Sequence, residues 1–364
     1  MTQSIKVGIT HGDINGISYE VVMKALSDER ITELCTPVLF STAKLASYFR
    51  KTSTAEGFEY HLIPDASSAK EGKINLVNVS DEEFKVEPGK VTAESGRAAF
   101  LSLHAATEAL KAGDIDILVT APINKDAMQS DEFRFPGHTE YLESELGEEG
   151  DRALMILFND VMRVALVTVH VPLSEVASRI TKDAVLGKIR AFAGSLRQDF
   201  GIDGPKIAVL ALNPHAGDGG LLGTEEKEFI SPAVEEAFAE GIFAFGPYAA
   251  DGFFGHSKEI EFDGILAMYH DQGLIPLKSS SEDKGVNFTA CLPYVRTSPD
   301  HGTGYDIAGL GKASPSSLLE AIFRGIDIYR ARKRHQRSVA NPLRKQYVER
   351  GADKTVDFSK EENE

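Results

Sequence analysis

Residues 264–278 read "GILAMYHDQGLIPLK". The opening run is apolar, as in a strand buried on both faces. The chain then turns polar at His270 and Asp271, and Gly273 reads as a turn ahead of Lys278. In α/β sheets ligands gather beyond the carboxyl ends of the strands, so a core strand that stops on an imidazole and a carboxylate points to a site. The bland alternative is a strand end that happens to be polar. One stretch does not decide between them.

The rest of the chain repeats the pattern. Apolar runs at 5–10, 37–41, 74–79, 116–121, 153–158, 164–170 and 206–212 predict further strands. Helical periodicity over 18–27, 92–112, 174–198, 225–240 and 315–333 alternates with them. The alternation predicts an α/β architecture around a largely parallel sheet. Thr92 and Ser95 offer caps for the clearest helix, Gly113 offers its stop, and His104 inside it reads as structural or exposed.

A length of 364 residues is long for one compact domain and points to two. Hydrophobic residues at 42% and charged residues at 26% suit a globular chain with a sizeable core. The net charge of −16 argues against nucleic-acid binding and requires any anionic substrate to be met by a local cluster of cations. Cys35 and Cys291 match neither a metal spacing nor a disulfide framework, which predicts a reducing compartment, the cytoplasm. The opening "MTQSIKVGIT" does not read as a signal peptide, and no apolar run is long enough to span a membrane. The basic run "RARKRHQRS" (330–338) reads as a solvated helix end rather than a binding patch, and "GADKTVDFSKEENE" (351–364) as a polar tail.

Three histidines occupy equivalent places. His170 ends "VALVTVH", His215 lies in "VLALNPHAGDGG" just past a strand, and His270 ends "ILAMYH". Three imidazoles delivered by three strands suit an open divalent-metal site, with positions left for substrate; three unrelated polar strand ends are the alternative. Asp271 reads as an orienting carboxylate or a ligand, and Asp218 equally as a turn residue. In "FPGHTEYL" (135–142) His138 and Thr139 follow Pro-Gly at a helix opening, which suits either an anion or a simple Thr139 cap. The segment 277–313 supplies Lys278, Lys284 and Arg296 as cations and Asn287 as a neutral partner. Within it, "DHGTGYDIAG" (300–309) forms a glycine-rich loop that lets backbone approach a nucleotide. No G-x-G-x-x-G occurs, and "GDGGLLG" (217–223) fails at Leu222, so an ordinary Rossmann fingerprint is unsupported. "THGDINGISYE" (10–20) lacks a Walker lysine and reads as a loop lining the cleft.

Taken in order, "FPGHTEYL", "VTVHVPL", "LNPHAGDGG", "GPYAADGFF", "YHDQGLIPLK" and "TSPDHGTGYDIAGLGKA" resemble the successive signatures of the 4-hydroxythreonine-4-phosphate dehydrogenase family of pyridoxal 5′-phosphate biosynthesis. The resemblance implies two α/β/α domains with a cleft between them, as in isocitrate and isopropylmalate dehydrogenases, which bind a dinucleotide without the Rossmann fingerprint. It implies a discontinuous first domain on the dinucleotide side (1–125 and 282–340), a second with metal ligands and dimer interface (126–281), and a polar tail (341–364). It assigns His170, His215 and His270 to one divalent ion, with Zn²⁺ favoured over Co²⁺ or Mg²⁺. It assigns His138, Thr139, Lys278, Asn287 and Arg296 to the substrate, and His301, Gly302, Thr303 and Asp306 to NAD or NADP. Asp251 in "YAADGFF" is the candidate base, with a metal-bound hydroxide as the alternative. The implied reaction is oxidation of 4-phosphooxy-L-threonine at C3 with decarboxylation to 3-amino-2-oxopropyl phosphate, in a homodimer with its active site at the interface.

Two stretches depart from the family pattern. "GDINGISYE" (12–20) stands where the family carries Gly-Asp-Pro-Ala-Gly-Ile-Gly-Pro-Glu, and Gly304-Tyr305 replaces a small-then-apolar pair. Three alternatives stay open. A dehydrogenase of a sugar-acid phosphate such as 4-phospho-D-threonate would use the same groups. A metal-dependent phospho-sugar aldolase or hydrolase would need no dinucleotide. A non-catalytic metal module would bind metal without turnover.

Overall fold

Each continuous apolar run becomes a strand of one twelve-stranded sheet in the computed structural model. It describes residues 4–52, 58–148, 152–280 and 284–341, so the polar tail past Asn341 lies outside the described residues. The strands are β1 (Lys6–Thr10), β2 (Thr36–Ser41), β3 (His61–Ile63), β4 (Asn75–Asn78), β5 (Ile117–Thr120), β6 (Leu154–Phe158), β7 (Arg163–Leu166), β8 (Lys206–Leu210), β9 (Phe243–Tyr248), β10 (Gly264–Ala267), β11 (Val286–Ala290) and β12 (Val295–Pro299). Their order across the sheet is β3-β4-β2-β1-β5-β12-β11-β6-β7-β10-β8-β9. Both flanks are parallel, as expected. The middle is not: β12 with β11, β11 with β6 and β6 with β7 pair antiparallel.

The seam comes from a hairpin inside 277–313, a segment in which the apolar pattern predicts no strand. Strands β11 and β12 alternate rather than running continuously apolar. Asn287, Thr289, Arg296 and Ser298 share one face, since Asn287 pairs with Ser298 and Thr289 with Arg296. Val286, Phe288, Ala290 and Val295 point the other way into the core. Edge strands β3 and β9 also lack a long apolar run; β3 has three residues and β9 contains Gly246-Pro247, which an edge tolerates.

The helices are α1 (Ser18–Leu26), α2 (Glu29–Leu34), α3 (Ala43–Thr52), α4 (Ala93–Ala112), α5 (Lys125–Met128), α6 (His138–Leu146), α7 (Leu173–Arg179), α8 (Lys182–Gln198), α9 (Ser231–Ala239), α10 (Ala250–Gly255), α11 (His270–Ser280) and α12 (Ser316–Ala340). The helix over 92–112 forms as read, with the Thr92 hydroxyl accepting from the Ser95 N–H and Gly113 left-handed at φ 76°. His104 is exposed on it. The pattern over 174–198 breaks in two because Thr181 is extended and caps α8 through the Ala184 N–H. The run after β10 is a helix rather than a strand end and turn: Gly273 lies inside α11, where a Cβ would stand 2.6 Å from Val164 Cγ1. In the basic run 330–338 at the end of α12, Arg330, Lys333, Arg334 and Arg337 are exposed, whereas Arg332 is buried and donates to Asp199 at 2.7 Å.

On one sheet face α1, α12, α8 and α9 cover a core that runs through both halves. On the other face the cover is split. Helices α4 and α6 pack over β2 and β5, while α10 and α11 pack over β7, β8 and β10. Between these two patches the polar face of β12 and β11 is left open, and that gap is the cleft.

Helix α4 fixes one wall of the cleft through Gly96, where a Cβ would stand 1.9 Å from the Ala127 carbonyl oxygen of α5. Gly96→Ala is expected to lower stability by roughly 1–3 kcal/mol, the usual cost of overpacking, because backbone cannot step aside cheaply. A thermal melt checks this, and an unchanged midpoint would contradict the close approach.

Candidate active site

The open face holds a cavity of about 290 Å³. Arg296 and Ser298 of β12, Asn287 of β11 and Leu157 of β6 form its floor. Thr120 at the end of β5, Lys125 of α5 and the start of α6 make one wall. His170 beyond β7, with His270 and Lys278 of α11, makes the other. His301 and Gly302 reach its rim. The five residues assigned to substrate, His138, Thr139, Lys278, Asn287 and Arg296, therefore meet in one place.

Arg296 dominates the electrostatics. It is 2% exposed. Its Nε and Nη2 donate to Thr120 Oγ1 at 3.0 and 2.5 Å, and its Nη1 donates to Thr289 Oγ1 at 3.0 Å. Hydroxyls hold it, and among the described residues no carboxylate pairs with it. Burial pulls its pKa down to about 10, opposed by Glu140, so the guanidinium keeps its charge at neutral pH. A buried charge without a counter-ion is costly, and an anion in the cavity would offset that cost.

His138 is driven well below the usual histidine range by burial first, then by Arg296 and Lys125. Its imidazole is neutral, and Nε2 has no partner; nor has Asn287 Oδ1. Helix α6 begins at His138 with Gly137 as an N-cap that offers no side chain, so Thr139 is not the cap and the first-turn amides stay open to an anion. Lys278 donates to the Asp300 carbonyl at 3.0 Å from the far wall.

Two of the three candidate metal ligands face each other: the His170 and His270 rings lie 6.2 Å apart. His270 Nδ1 sits 2.7 Å from Asp271 Oδ1, which orients the ring and leaves Nε2 for a ligand. Partial burial, then the Lys125 ammonium, holds His170 below its ordinary pKa and favours the neutral, metal-competent form. His215 does not join them. It is exposed and does not line this cavity. The buried Glu226 carboxylate accepts from the Leu212 and Asn213 N–H groups at 2.8 and 2.7 Å. Beyond that anchor, 215–219 run through five left-handed residues, of which His215, Ala216 and Asp218 are not glycine. Among the described residues no group of three His, Cys, Asp or Glu side chains could hold a metal within one chain. Asp251 is exposed on α10, also outside the cavity.

The glycine-rich loop is tied to the first loop by the two stretches that depart from the family pattern. The Ile17 N–H donates to the Thr303 carbonyl at 2.8 Å, and the Tyr305 hydroxyl donates to Asp13 at 2.7 Å. Asp306 is exposed on the loop. A second cavity of about 220 Å³ opens beside it, lined by Ile14, Phe49, Pro88 and Leu310 among others. Sequence reading missed three cleft residues, Thr120, Lys125 and Glu140. The strand-end rule applied to 116–121 would have found the first two, and Glu140 lies within the quoted "FPGHTEYL".

Residues 33–324 match the family described as pyridoxal phosphate biosynthetic protein PdxA. A curated 4-hydroxythreonine-4-phosphate dehydrogenase from Bacteroides thetaiotaomicron is 52% identical over 349 residues, covering 96% of this chain and 95% of that one. A relative from Symbiobacterium thermophilum, provisionally named a D-threonate 4-phosphate dehydrogenase, is 38% identical over 321 residues, covering 87% and 94%. The crystal structure of 4-hydroxythreonine-4-phosphate dehydrogenase from Klebsiella pneumoniae superposes with a TM-score of 0.78 at 33% identity, covering 90% of this chain and 98% of that one.

Proposed function

The chain belongs to the PdxA family of pyridoxal phosphate biosynthetic proteins, and from that premise we propose that it oxidises 4-phosphooxy-L-threonine at C3 with a nicotinamide dinucleotide and releases CO₂. Hydride leaves C3 for the nicotinamide ring, and the hydroxyl proton goes to a base. The resulting 3-keto acid breaks its C1–C2 bond, a proton replaces CO₂ at C2, and 3-amino-2-oxopropyl phosphate remains. The observation that carries this reading is Arg296, a buried guanidinium that no carboxylate among the described residues pairs with, facing a cleft with a neutral imidazole and open helix amides.

Arg296, Lys278, His138, Thr139 and Asn287 bind the substrate, with the charged donors on its phosphate. His170 and His270 would hold a divalent metal together with the partner subunit's His215 in a homodimer. Such a metal, zinc favoured by the imidazole donors, would stabilise negative charge on the C3 oxygen during both steps. His215 and Asp251 follow the carboxyl ends of neighbouring strands β8 and β9. One partner edge could therefore supply the third ligand and the base together. His301, Gly302, Thr303 and Asp306 line the dinucleotide path, and the apolar cavity beside Leu310 suits the adenine. The dinucleotide is NAD or NADP. The expected boundary at 126 shifts: α5 and α6 pack with 1–125, so the proposed division is 1–148 with 284–340 against 152–280. Among the described residues no helix is long and apolar enough to cross a membrane. Neither Cys35 nor Cys291 forms a disulfide among the described residues, which suits the cytoplasm.

Anaerobic incubation with 4-phosphooxy-L-threonine and NAD⁺ is expected to give NADH and CO₂ together. A chelator should stop both, and Zn²⁺ or Co²⁺ should restore them. Substrate loss without NAD⁺ or NADP⁺ reduction would replace this reading with the aldolase or hydrolase. Reduction only with 4-phospho-D-threonate would favour the second reading, which rests on the Symbiobacterium relative.

A further inference from the structure

The glycine-rich loop carries the dinucleotide in the proposed function, yet burial does not hold it. From His301 to Leu310 no residue is buried, and loops without buried contacts open at low cost. Two hydrogen bonds tie it to the first loop. One runs between backbones, from the Ile17 N–H to the Thr303 carbonyl at 2.8 Å. In the other the Tyr305 hydroxyl donates to Asp13 Oδ2 at 2.7 Å. The two loops also interlock. A Cβ at Gly16 would stand 2.4 Å from the Thr303 carbonyl oxygen, and one at Gly304 would stand 2.9 Å from Ile17 Cδ1.

The first loop is a firm anchor. The Asp13 N–H donates to the Pro122 carbonyl at 2.8 Å, just past β5. Buried Asn15 accepts from the Glu87 N–H at 2.7 Å, and its amide donates to the Lys90 carbonyl and Thr92 Oγ1 at 3.0 Å each. The Asp13 carboxyl is fully buried. It accepts from the Asn15 N–H at 2.8 Å, the Ser95 hydroxyl at 3.4 Å and the Tyr305 hydroxyl, and none of these donors is charged. A buried carboxyl with neutral donors depends strongly on each of them. Burial, then the Asp13 bond, pushes the Tyr305 pKa up, so the phenol stays a donor at neutral pH. On one side of Tyr305, His301 and Gly302 line the catalytic cavity; on the other, Gly309 and Leu310 line the second cavity. The bond therefore pins the loop at its middle, between the two cavities.

We propose that Tyr305 is a positioning residue whose hydroxyl latches the dinucleotide loop to Asp13 before the cofactor arrives, and so sets affinity for the dinucleotide without touching the reacting atoms. This inference rests on the proposed function. A loop already held in its bound shape spares the dinucleotide the cost of ordering it. Tyr305 stands where the family pattern carries an apolar residue, so the hydroxyl is an addition to that pattern.

The test compares wild type with Tyr305→Phe, which removes one oxygen and keeps the ring. Kinetics with 4-phosphooxy-L-threonine are expected to show the dinucleotide KM raised roughly tenfold, the lower end for a hydrogen bond to a carboxylate. The kcat and the KM for the phosphorylated substrate should stay near wild type. Equal losses in both KM values, or a fall in kcat alone, would make Tyr305 a structural or catalytic residue and overturn the latch. An unchanged dinucleotide KM would overturn it too. Hydrogen–deuterium exchange on the free proteins reads the latch without turnover. The amides of Ile17 and of 304–310 should exchange roughly tenfold faster in Tyr305→Phe, with strands β1 and β5 unchanged. Unchanged exchange over 304–310 would show that the bond does not hold the loop. A wild type that reduces neither NAD⁺ nor NADP⁺ would sink the proposed function and the cofactor role with it. The exchange result separates that failure from a failed latch, because it is read without any dinucleotide.

Discussion

Arg296→Met is expected to lower kcat/KM for the phosphorylated substrate by about 10²–10⁴-fold while leaving the thermal midpoint unchanged or raised. The two effects have one origin. In the free protein the guanidinium is buried against the Thr120 and Thr289 hydroxyls, and among the described residues no carboxylate forms an ion pair with it. Removing an uncompensated buried charge relieves a folding cost, and an unbranched apolar side chain of similar length fills its place. Binding suffers because two charge-assisted hydrogen bonds to a phosphate, about 1.5–3 kcal/mol each, disappear together. Steady-state kinetics and a thermal melt on one preparation check both halves. A loss of activity accompanied by a clear fall in midpoint would mean that Arg296 is structural and that the anion binds elsewhere.

His170→Ala and His215→Ala are each expected to abolish turnover, yet a mixture of the two inactive variants should regain activity. Among the described residues of its own chain, the pair at His170 and His270 has no third ligand. If the partner subunit's His215 completes the site, a mixed dimer contains one intact site and one that lacks two ligands. Free exchange of subunits then gives about a quarter of wild-type activity, since half the dimers are mixed and each has one working site of two. The check is an activity assay after co-refolding or subunit exchange, with metal content measured alongside. No recovery despite demonstrated exchange would place all ligands of a site in one chain.

Much of this was legible in the sequence, for reasons that vary by element. Runs such as 206–212 and 264–269 are buried on both faces, and continuous apolar runs of this kind announce strands. Thr92 and Gly113 mark a helix because capping and left-handed termination are local chemistry. The β11–β12 hairpin was not legible. Its residues answer to two environments at once, a core on one side and a ligand cleft on the other, and so they mimic a polar loop. Helix α11 was missed for a related reason: Gly273 and Pro276 are poor helix residues, and close packing on β7 sets the conformation at Gly273. The substrate residues assigned by resemblance do converge, whereas His215 and Asp251 do not reach the cavity of their own chain. No pattern within a chain reports what a second copy contributes.

The antiparallel seam has a mechanical consequence. The cleft floor is made of strands hydrogen-bonded continuously to both flanks, from β5 through β12, β11 and β6 to β7. The two walls are therefore leaves of one bound sheet, unlike bodies joined by a slack tether. Narrowing the gap around a ligand must twist or flex that sheet across four strand pairings, and the unbroken core on its far face must flex with it. The cleft is accordingly stiff against wide opening and compliant only in small torsions. Its selectivity then belongs to a vice with a short travel, set by where charges already stand before the substrate arrives.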